Sequence, residues 1–273
     1  MDVEIPAEGA VLRGRLARPD GPPRAMVLVS GATGVPARFY RAFADWLAEQ
    51  GLACLTYDYR DFGASGSARD SRATMTDWGV RDQQAARDFA AHAVPDVPLW
   101  VVGHSLGGMT LPFQTGLERI DRVICVASGA VHVSDHPWPY QAFARAFWAP
   151  GLPWLARRLG HLPLQRVGVG HDIPAGVYAQ WRRWCLSRRF HGGDPALGPA
   201  RPDDLTCAVR MVAVADDALC PPASVWRLMQ AYPAARKSQV VIRPEALGLD
   251  RLGHLHVLGE HGRAAWPILM DLA

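Results

Sequence analysis

A serine with glycines two positions before and two positions after it is the residue best placed for covalent chemistry. The segment Gly103-His104-Ser105-Leu106-Gly107 matches the pattern G-x-S-x-G and follows the apolar run Leu99–Gly103. A strand before this pattern and a helix after it are typical of a nucleophile elbow, a turn so tight that the serine takes positive φ. The sequence therefore predicts Ser105 as a nucleophile presented above a sheet, the alternative being a serine in a purely structural turn.

An elbow serine needs a base that accepts its proton and a carboxylate that orients the base. In folds that use this elbow, the partners follow in the chain order serine, acid, histidine. The apolar run Arg210–Ala215 ends at Asp216 and Asp217, and a carboxylate there lies at the functional edge of a parallel sheet. Asp217 is predicted as the acid because it lies in the loop, four residues before Pro221, where its side chain can turn inward. Asp216 is the alternative.

Two histidines follow the last strand-like run, Gln239–Arg243. Gly253 leaves room for a loop that brings His254 over the serine, so His254 is predicted as the general base and His256 is the alternative. As metal ligands the two histidines would need a third partner, and no suitable carboxylate or thiolate lies near them in the sequence. No metal or other cofactor is predicted, and His104 is expected to pack within the elbow.

Backbone N–H groups must also stabilise the oxyanion that forms when a serine attacks a carbonyl. One donor is expected directly after the nucleophile. The other is expected in the turn Ser30-Gly31-Ala32-Thr33-Gly34, which follows the strand-like run Ala25–Ser30. The N–H groups of Leu106 and Ala32 are therefore predicted to form the oxyanion hole, with Thr33 as the alternative to Ala32.

Short apolar runs alternate with helix-like segments through most of the chain, and the first 18 residues have the pattern of an antiparallel hairpin. Continuous apolar runs separated by helices are typical of buried parallel strands in an α/β fold. The predicted strands are Ala25–Ser30, Leu52–Tyr59, Leu99–Gly103, Arg122–Ala127, Cys207–Ala215 and Gln239–Arg243, and the predicted helices include Pro36–Gln50 and Thr76–Ala93.

The alternation stops between about Ser134 and Ala200. From Pro137 to Phe190 the chain holds 10 of its 24 Phe, Trp and Tyr residues, and between residues 134 and 190 eight Arg stand against two Asp. This aromatic, proline-punctuated insertion predicts a cap over the strand ends, the alternative being a helical layer without substrate contact. The predicted organisation is a core domain over 1–133, a helical Trp/Arg-rich cap over 134–200, and the rest of the core, with the acid and histidine loops, over 201–273.

A set of short motifs is spread along the chain: Gly31–Pro36 with Phe39-Tyr40, Tyr57–Arg60 with Gly63 and Ser65, Asp77-Trp78-Gly79, Gly103–Gly108, Gln180-Trp181 with Trp184-Cys185, Asp216-Asp217, and Gly253-His254. Together they resemble the α/β-hydrolase superfamily along essentially the whole chain, and within it a little-characterised bacterial group of predicted serine hydrolases. The resemblance implies an eight-stranded, mostly parallel sheet with a helical cap, a triad of Ser105, Asp217 and His254, no cofactor and no settled substrate. Two departures stand out: Asp61 replaces a glycine usual in such relatives, and Leu255-His256-Val257 replaces small and aromatic residues.

The predicted function is hydrolysis of a carboxylic ester, or less favourably of a thioester or amide, with a small apolar or aromatic acyl group. Acyl transfer on the same triad is the alternative within catalysis, along with C–C bond cleavage or haloperoxidase chemistry. A non-catalytic ligand-binding protein on a hydrolase scaffold is the alternative outside it. A nicotinamide-dependent reductase is disfavoured, because Met26–Gly34 lacks the third glycine of that fingerprint at Ala37. Lys237, the only lysine, has Pro233 rather than a tyrosine four residues before it.

Charge and composition restrict the partners of this 273-residue chain. A net charge of +3, from 29 basic and 26 acidic residues, is too small to predict nucleic-acid binding. No uninterrupted apolar stretch reaches 18 residues, and the first residues lack the pattern of a secretory signal, so a cytoplasmic protein without a membrane partner is expected. The five cysteines contain no C-x-x-C pair, which disfavours a disulfide framework or a zinc knuckle. The expected partner is a small-molecule substrate, and the oligomeric state, monomer or homodimer, is left open.

Overall fold

A central eight-stranded sheet organises the computed structural model, which describes residues 1–168 and 170–272. The strands are β1 (Asp2–Ala7), β2 (Ala10–Ala17), β3 (Met26–Ser30), β4 (Ala53–Tyr57), β5 (Leu99–His104), β6 (Arg122–Val126), β7 (His161–Leu162), β8 (Ile173–Pro174), β9 (Ala208–Val214) and β10 (Arg236–Ile242). Their spatial order in the sheet is β1-β2-β4-β3-β5-β6-β9-β10, while β7 and β8 pair separately. Among the described strands of the large sheet, β2 alone runs antiparallel to its neighbours. The predicted mostly parallel sheet, with a hairpin at its edge, is confirmed.

Helices cover both faces of the sheet, because its central strands are apolar on both sides. Every residue of β3 and β4 is buried, as expected for strands with a helix layer on each face. The helices are α1 (Arg41–Glu49), α2 (Gln83–Ala93), α3 (Tyr140–Phe147), α4 (Gly151–Leu159), α5 (Ala175–Leu186), α6 (Pro222–Leu228), α7 (Gly253–His256) and α8 (Trp266–Met270). Phe43 of α1 and Trp266 of α8 belong to one core cluster, and Trp78 and Tyr232 belong to the other.

The segment from residue 134 to 200 is mainly helical and continuous with one of these cores. It contributes α3, α4 and α5 together with the two-stranded hairpin β7-β8. Trp148 stacks on Tyr178 with ring centroids 5.6 Å apart, and Phe147 meets Trp181 edge to face. Because these aromatic rings pack into the cluster that also contains Trp78, the segment forms a fixed layer on the rest of the fold.

The structure corrects the helix expected directly after the elbow. Residues Ser105–Gly108 form a single 3-10 turn, and Leu111–Phe113 form another. Two consecutive glycines disfavour a helix, and Pro112 lacks the N–H that would extend one. The predicted helix over 76–93 also divides: Asp77–Asp82 is π-helical before α2 begins. In that π-helical turn the Gly79 carbonyl accepts hydrogen bonds from two side-chain groups outside the helix, Thr110 Oγ1 and Gln114 Nε2.

Asp61, one of the two departures from the related sequences, adopts a backbone conformation that favours glycine. Its φ is 56°, in the left-handed region that aspartate tolerates better than most side chains. Ser71 Oγ donates a 2.6 Å hydrogen bond to its carboxylate. Asp61 can therefore form this turn in place of the glycine.

Two glycines let the elbow press against the neighbouring strand. A Cβ on Gly107 would lie 2.0 Å from the carbonyl oxygen of Ser30 in β3, and one on Gly103 would lie 2.4 Å from the backbone of Gly107. Both neighbours are buried backbone atoms, one in β3 and one in the elbow turn, and they cannot rotate away as a side chain could. The G-x-S-x-G glycines are thus required by contact across β3 and β5.

We expect Gly107→Ala to lower the free energy of unfolding by at least about 2 kcal/mol, because the added methyl group overlaps fixed backbone. Urea denaturation followed by tryptophan fluorescence measures the change. Gly151→Ala is the matched control, since no atom lies within 4 Å of its added Cβ, and alanine within a helix is favoured by up to about 1 kcal/mol. Equal unfolding midpoints for the two variants would show that the elbow does not depend on this contact.

Candidate active site

Ser105 lies at the tip of the turn that follows β5. Its φ is 53°, the conformation that presents a side chain away from both strand and turn, and only 6% of its surface is exposed. It lines a cavity that His254 also lines. The strand, the positive φ and the exposure to a cavity are those expected for an elbow nucleophile.

Asp217 and His254 are joined by a direct hydrogen bond. Oδ2 of Asp217, in the loop after β9, lies 2.8 Å from Nδ1 of His254 at the start of α7. The other carboxylate oxygen accepts hydrogen bonds from the backbone N–H groups of Leu219 and Cys220, at 2.8 and 2.9 Å. All three bonds hold the carboxylate in one orientation, and it in turn fixes the imidazole.

The electrostatics of this pair favour an ionised carboxylate. Burial opposes ionisation of Asp217, but the charge and hydrogen bond of His254, with the two backbone N–H groups, outweigh it and hold the carboxyl pKa below its ordinary value. Because an ionised carboxylate only accepts, Nδ1 of His254 is the donor, and Nε2 is the ring nitrogen that Asp217 leaves free. The described structure has no hydrogen bond between Nε2 and Ser105 Oγ, and such contacts commonly tighten only when substrate binds.

The two residues weighed as alternatives have other places. Asp216 accepts hydrogen bonds from the backbone N–H groups of Leu252 and Gly253, at 3.0 and 2.9 Å, and so fixes the loop that carries the histidine. His256 is exposed and faces His261 rather than the serine. Of the two Asp and two His candidates, the structure brings Asp217 and His254 together.

In the described part of the chain, Asp217, Cys220 and His254 are the one group whose possible metal-ligand atoms all lie within 4.8 Å of one another. Their bonding fits an acid–base pair better than a metal centre. Each oxygen of the carboxylate already accepts a hydrogen bond, and burial raises the pKa of the Cys220 thiol well above its ordinary value. A protonated thiol is a poor ligand, since metals bind the thiolate.

The N–H groups of Ala32 and Thr33 differ in their hydrogen-bond partners. The N–H of Ala32, the predicted oxyanion donor, donates a 2.8 Å hydrogen bond to the hydroxyl of Tyr40, and Ala32 lines the cavity. The N–H groups of Leu106 and of Thr33, the alternative from the sequence, have no acceptor within the described residues. Thr33 lines the same cavity as Ser105.

Tyr40 and His104 form a buried hydrogen-bonded chain behind the site. The Tyr40 hydroxyl lies 2.8 Å from Nδ1 of His104, and Nε2 of His104 lies 2.9 Å from the carbonyl oxygen of His254. Tyr40 and His104 are 1% and 0% exposed. The chain therefore links the turn after β3, the elbow and the start of α7.

The protons in this chain have a single consistent arrangement. A carbonyl only accepts, so Nε2 of His104 donates to His254. Burial, together with the nearby charge of His254, lowers the pKa of His104 to about 3, so the ring is neutral and Nδ1 has no proton. The Tyr40 hydroxyl therefore donates to Nδ1 while it accepts from the Ala32 N–H. Tyr40 had no assigned role in the sequence analysis, although Phe39-Tyr40 was among the motifs that carried the resemblance.

The cavity that Ser105 and His254 share has a volume of about 270 Å³. No Asp, Glu, Lys or Arg is found among its described lining residues, so none of the eight Arg between residues 134 and 190 reaches it. Its lining includes Met109, Val131, Tyr140, Phe143, Phe147, Trp148, Ile173, Trp181, Phe190 and Leu255, with Gly34, His136, His171 and Cys220 among the remainder. A pocket of this composition suits an uncharged, apolar or aromatic ligand.

The sequence model of the family described as serine aminopeptidase, S33, matches residues 21–169, slightly more than half of the chain. The chain belongs to the serine aminopeptidase S33 family. The matched region contains β3, the elbow, α3 and α4, but it ends before Asp217 and His254. The predicted α/β-hydrolase superfamily and an enzyme of that type are confirmed at the level of the family.

Other proteins resemble this chain in sequence or in fold. The mouse (Mus musculus) monoglyceride lipase is 32% identical over 106 residues, which are 38% of this chain and 34% of that protein. The esterase Est1E of Butyrivibrio proteoclasticus, solved with ferulic acid bound, has a TM-score of 0.62 at 16% identity, over 99% of this chain and 97% of that one. An esterase of Exiguobacterium antarcticum has a TM-score of 0.62 at 14% identity, over 100% and 99%. These structures show the α/β-hydrolase fold, and the matched region spans about a third of the curated relative.

None of the described helices of this S33 member combines the length and the hydropathy needed to cross a bilayer.

We expect Tyr40→Phe to lower the free energy of unfolding by about 2 kcal/mol, because it leaves the buried Ala32 N–H and Nδ1 of His104 without partners. Tyr178→Phe is the matched control, since that buried hydroxyl makes one recorded hydrogen bond, to the Phe147 carbonyl, and we expect a loss nearer 1 kcal/mol. Urea denaturation of both variants measures the difference. A Tyr40 variant no less stable than the Tyr178 variant would contradict the hydrogen-bonded chain.

Proposed function

We propose that this S33 family member is a serine esterase that cleaves carboxylic esters through an acyl-enzyme. Ser105 is the nucleophile, His254 the general base and acid, and Asp217 the group that orients the imidazole. The observation that carries the proposal is the 2.8 Å bond between Asp217 and His254, in a cavity lined by both that histidine and a serine at φ 53°.

In the proposed reaction Nε2 of His254 takes the Ser105 proton while Oγ attacks the ester carbonyl. The charge that develops on the carbonyl oxygen is stabilised by the N–H groups of Leu106 and Thr33, which have no acceptor within the described residues. His254 then gives its proton to the departing alcohol, and the acyl group stays on Ser105. Water, deprotonated by the same nitrogen, releases the acid and restores the serine. Asp217 stays ionised throughout and stabilises the imidazolium.

The cavity supports an ester of a small apolar or aromatic acid more than a peptide with a free amino terminus. An aminopeptidase must bind an ammonium group, which requires an acceptor such as a carboxylate, because a desolvated charge without a partner is costly. The described lining residues include neither Asp nor Glu. The similar proteins named monoglyceride lipase and esterase, and the one that holds ferulic acid, point the same way.

We also propose that the segment 134–200 acts as a cap. More than half of the lining residues come from it, including Tyr140, Phe147 and Trp181. A helical layer that only covered the sheet would leave the cavity to the core residues. The contribution of the cap explains how a mostly apolar chamber of about 270 Å³ forms over the serine, where exclusion of water strengthens each electrostatic interaction.

We expect a fluorophosphonate probe to label Ser105 and no other residue, since the probe reacts only with an activated serine. Peptide mass mapping of the intact chain and of Ser105→Ala measures this, with Ser238→Ala as the control because Ser238 is exposed on β10. Labelling should vanish in the first variant and persist in the second. A folded protein that never labels would refute the esterase and make a ligand-binding role the better account of the fold.

We expect Asp217→Asn to lower kcat/KM for p-nitrophenyl butyrate by roughly 10³- to 10⁴-fold, because an amide no longer holds the imidazole in its working tautomer. Asp216→Asn is the matched control. It alters a carboxylate that bonds the backbone of the same loop but not the histidine ring, and we expect a loss below about tenfold. Equal losses in the two variants would overturn the assignment of Asp217 as the acid.

A further inference from the structure

His136 is a buried polar side chain of the cavity wall with apolar neighbours. It lies in the loop before α3 and is 7% exposed, and the residues that line the cavity with it include Val131, Phe143 and Leu219. A buried polar group in such a wall costs free energy unless it is hydrogen-bonded. The hydrogen-bond partners of its two ring nitrogens therefore determine whether His136 can bind a ligand.

One nitrogen of His136 is satisfied by the protein and the other is not. Nδ1 lies 3.0 Å from the carbonyl oxygen of Ala218, which only accepts, so Nδ1 holds the proton. Burial lowers the pKa of His136, and the ring is neutral near pH 7. Nε2 is then a bare acceptor with no partner within the described residues. Unlike the nitrogens of His191, which are unpartnered and enclosed, it keeps accessible surface.

Tyr140 is a second lining residue with a polar group, and its ring contacts that of His136. Its ring meets that of His136 edge to face, with centroids 5.2 Å apart, and it lines the cavity too. Its hydroxyl makes no hydrogen bond within the described residues. Burial raises the pKa of Tyr140 to about 12, so the hydroxyl keeps its proton and both donates and accepts.

Nε2 of His136 and the hydroxyl of Tyr140 together provide the acceptor and the donor that a ligand hydroxyl group needs. A hydroxyl donates one hydrogen bond, which Nε2 of His136 accepts, and it accepts another, which Tyr140 donates. A cationic ligand is disfavoured because no carboxylate lies in the described lining, and an anionic one because no Lys or Arg does. An apolar methyl group in the same place would leave the imidazole nitrogen unpaired.

We infer that His136 and Tyr140 form a specificity site that binds a neutral hydroxyl group of the ester substrate. The inference rests on the proposed esterase, because the site belongs to the cavity onto which Ser105 opens. It narrows the substrates from apolar esters in general to esters that carry an alcohol or phenol hydroxyl within the acyl or the alcohol part. His136 and Tyr140 act on binding and selection, and take no part in the proton transfers.

Two pairs of esters that differ in one hydroxyl test the inference. They are methyl 3-(4-hydroxyphenyl)propionate against methyl 3-phenylpropionate, and 2-hydroxyethyl butyrate against propyl butyrate. For the wild type we expect kcat/KM to favour the hydroxylated member of at least one pair by roughly tenfold, the effect of one good hydrogen bond. The preference should come from KM more than from kcat, because the bond forms equally in the ground and transition states.

Variants then assign the preference to the named side chains. His136→Phe keeps an aromatic ring but removes the acceptor, and it should reduce the preference to within about twofold. His136→Gln can donate to Ala218 and still offer an oxygen, so it should recover part of the preference. Tyr178→Phe is the control, because it removes a hydroxyl of α5 that bonds the Phe147 carbonyl and does not line the cavity. Should His136→Phe fail to fold, Tyr140→Phe and His136→Gln carry the same test.

Fluorophosphonate labelling separates a failure of this inference from a failure of the proposed function. A wild type that labels at Ser105, yet cleaves both members of each pair equally, overturns the hydroxyl site and leaves the esterase intact. The same holds if His136→Phe labels and keeps the preference. If the wild type does not label, calorimetric binding of the four esters to it decides the site independently, and equal affinities within both pairs overturn it.

Discussion

The contact between the elbow and β3 is the constraint on which the site depends. Gly107 lies so close to the Ser30 carbonyl that a methyl group would stand 2.0 Å from it, and this places the serine turn directly against the strand before the oxyanion turn. Ser105 then has little choice but the left-handed conformation, at φ 53°, because the chain must reverse within two residues. The turn that carries Ser105 and the turn that carries Ala32 and Thr33 lie side by side because β3 and β5 are neighbouring parallel strands that end there.

Loops that leave adjacent strands still need ties between them, and hydrogen bonds from polar side chains supply these ties. Tyr40 and His104 connect the turn after β3 to the elbow and to the carbonyl of His254. Asp216 binds the backbone just before that histidine, while Asp217 binds its ring. The net contribution of each hydrogen bond to stability is modest, about 1 kcal/mol. Breaking a buried one, however, leaves its partner unpaired and away from water. The loops are therefore held in place more by the free-energy cost of leaving a buried polar group unpaired than by the strength of any single hydrogen bond.

The sequence was sufficient for the parts of the molecule that follow from periodicity and spacing. The apolar runs located the strands, and the glycines around Ser105 located the elbow, because both depend on local backbone geometry. The choice of Asp217 and His254 also agrees with the contact that the structure shows between them. That choice used chain order and position relative to strand ends, which are properties of the topology.

What the sequence did not show depends on side chains that meet over long separations. The partner of the Ala32 N–H is a tyrosine eight residues later, and that tyrosine binds a histidine 64 residues further on; no local pattern encodes either contact. The short 3-10 turn after Ser105 is different, because the low helix propensities of Gly107, Gly108 and Pro112 are enough to predict it.

The separation of charge and apolar surface explains how the chamber can select substrates. Asp217 is the one ionised group bonded to the described reactive residues, and three hydrogen bonds and burial hold it beneath the imidazole. The cavity itself has no charged lining, so the low dielectric strengthens the Asp217–His254 interaction without offering a charged ligand a partner. Within such a wall, the unpaired imidazole nitrogen of His136 has more influence on selectivity than it would have in water, because a hydrogen bond is electrostatically stronger at low dielectric. In the proposed esterase, reactivity and selectivity thus come from two histidines with opposite roles. His254 is held by a carboxylate to move protons, and His136 is fixed by the Ala218 carbonyl to accept one hydrogen bond.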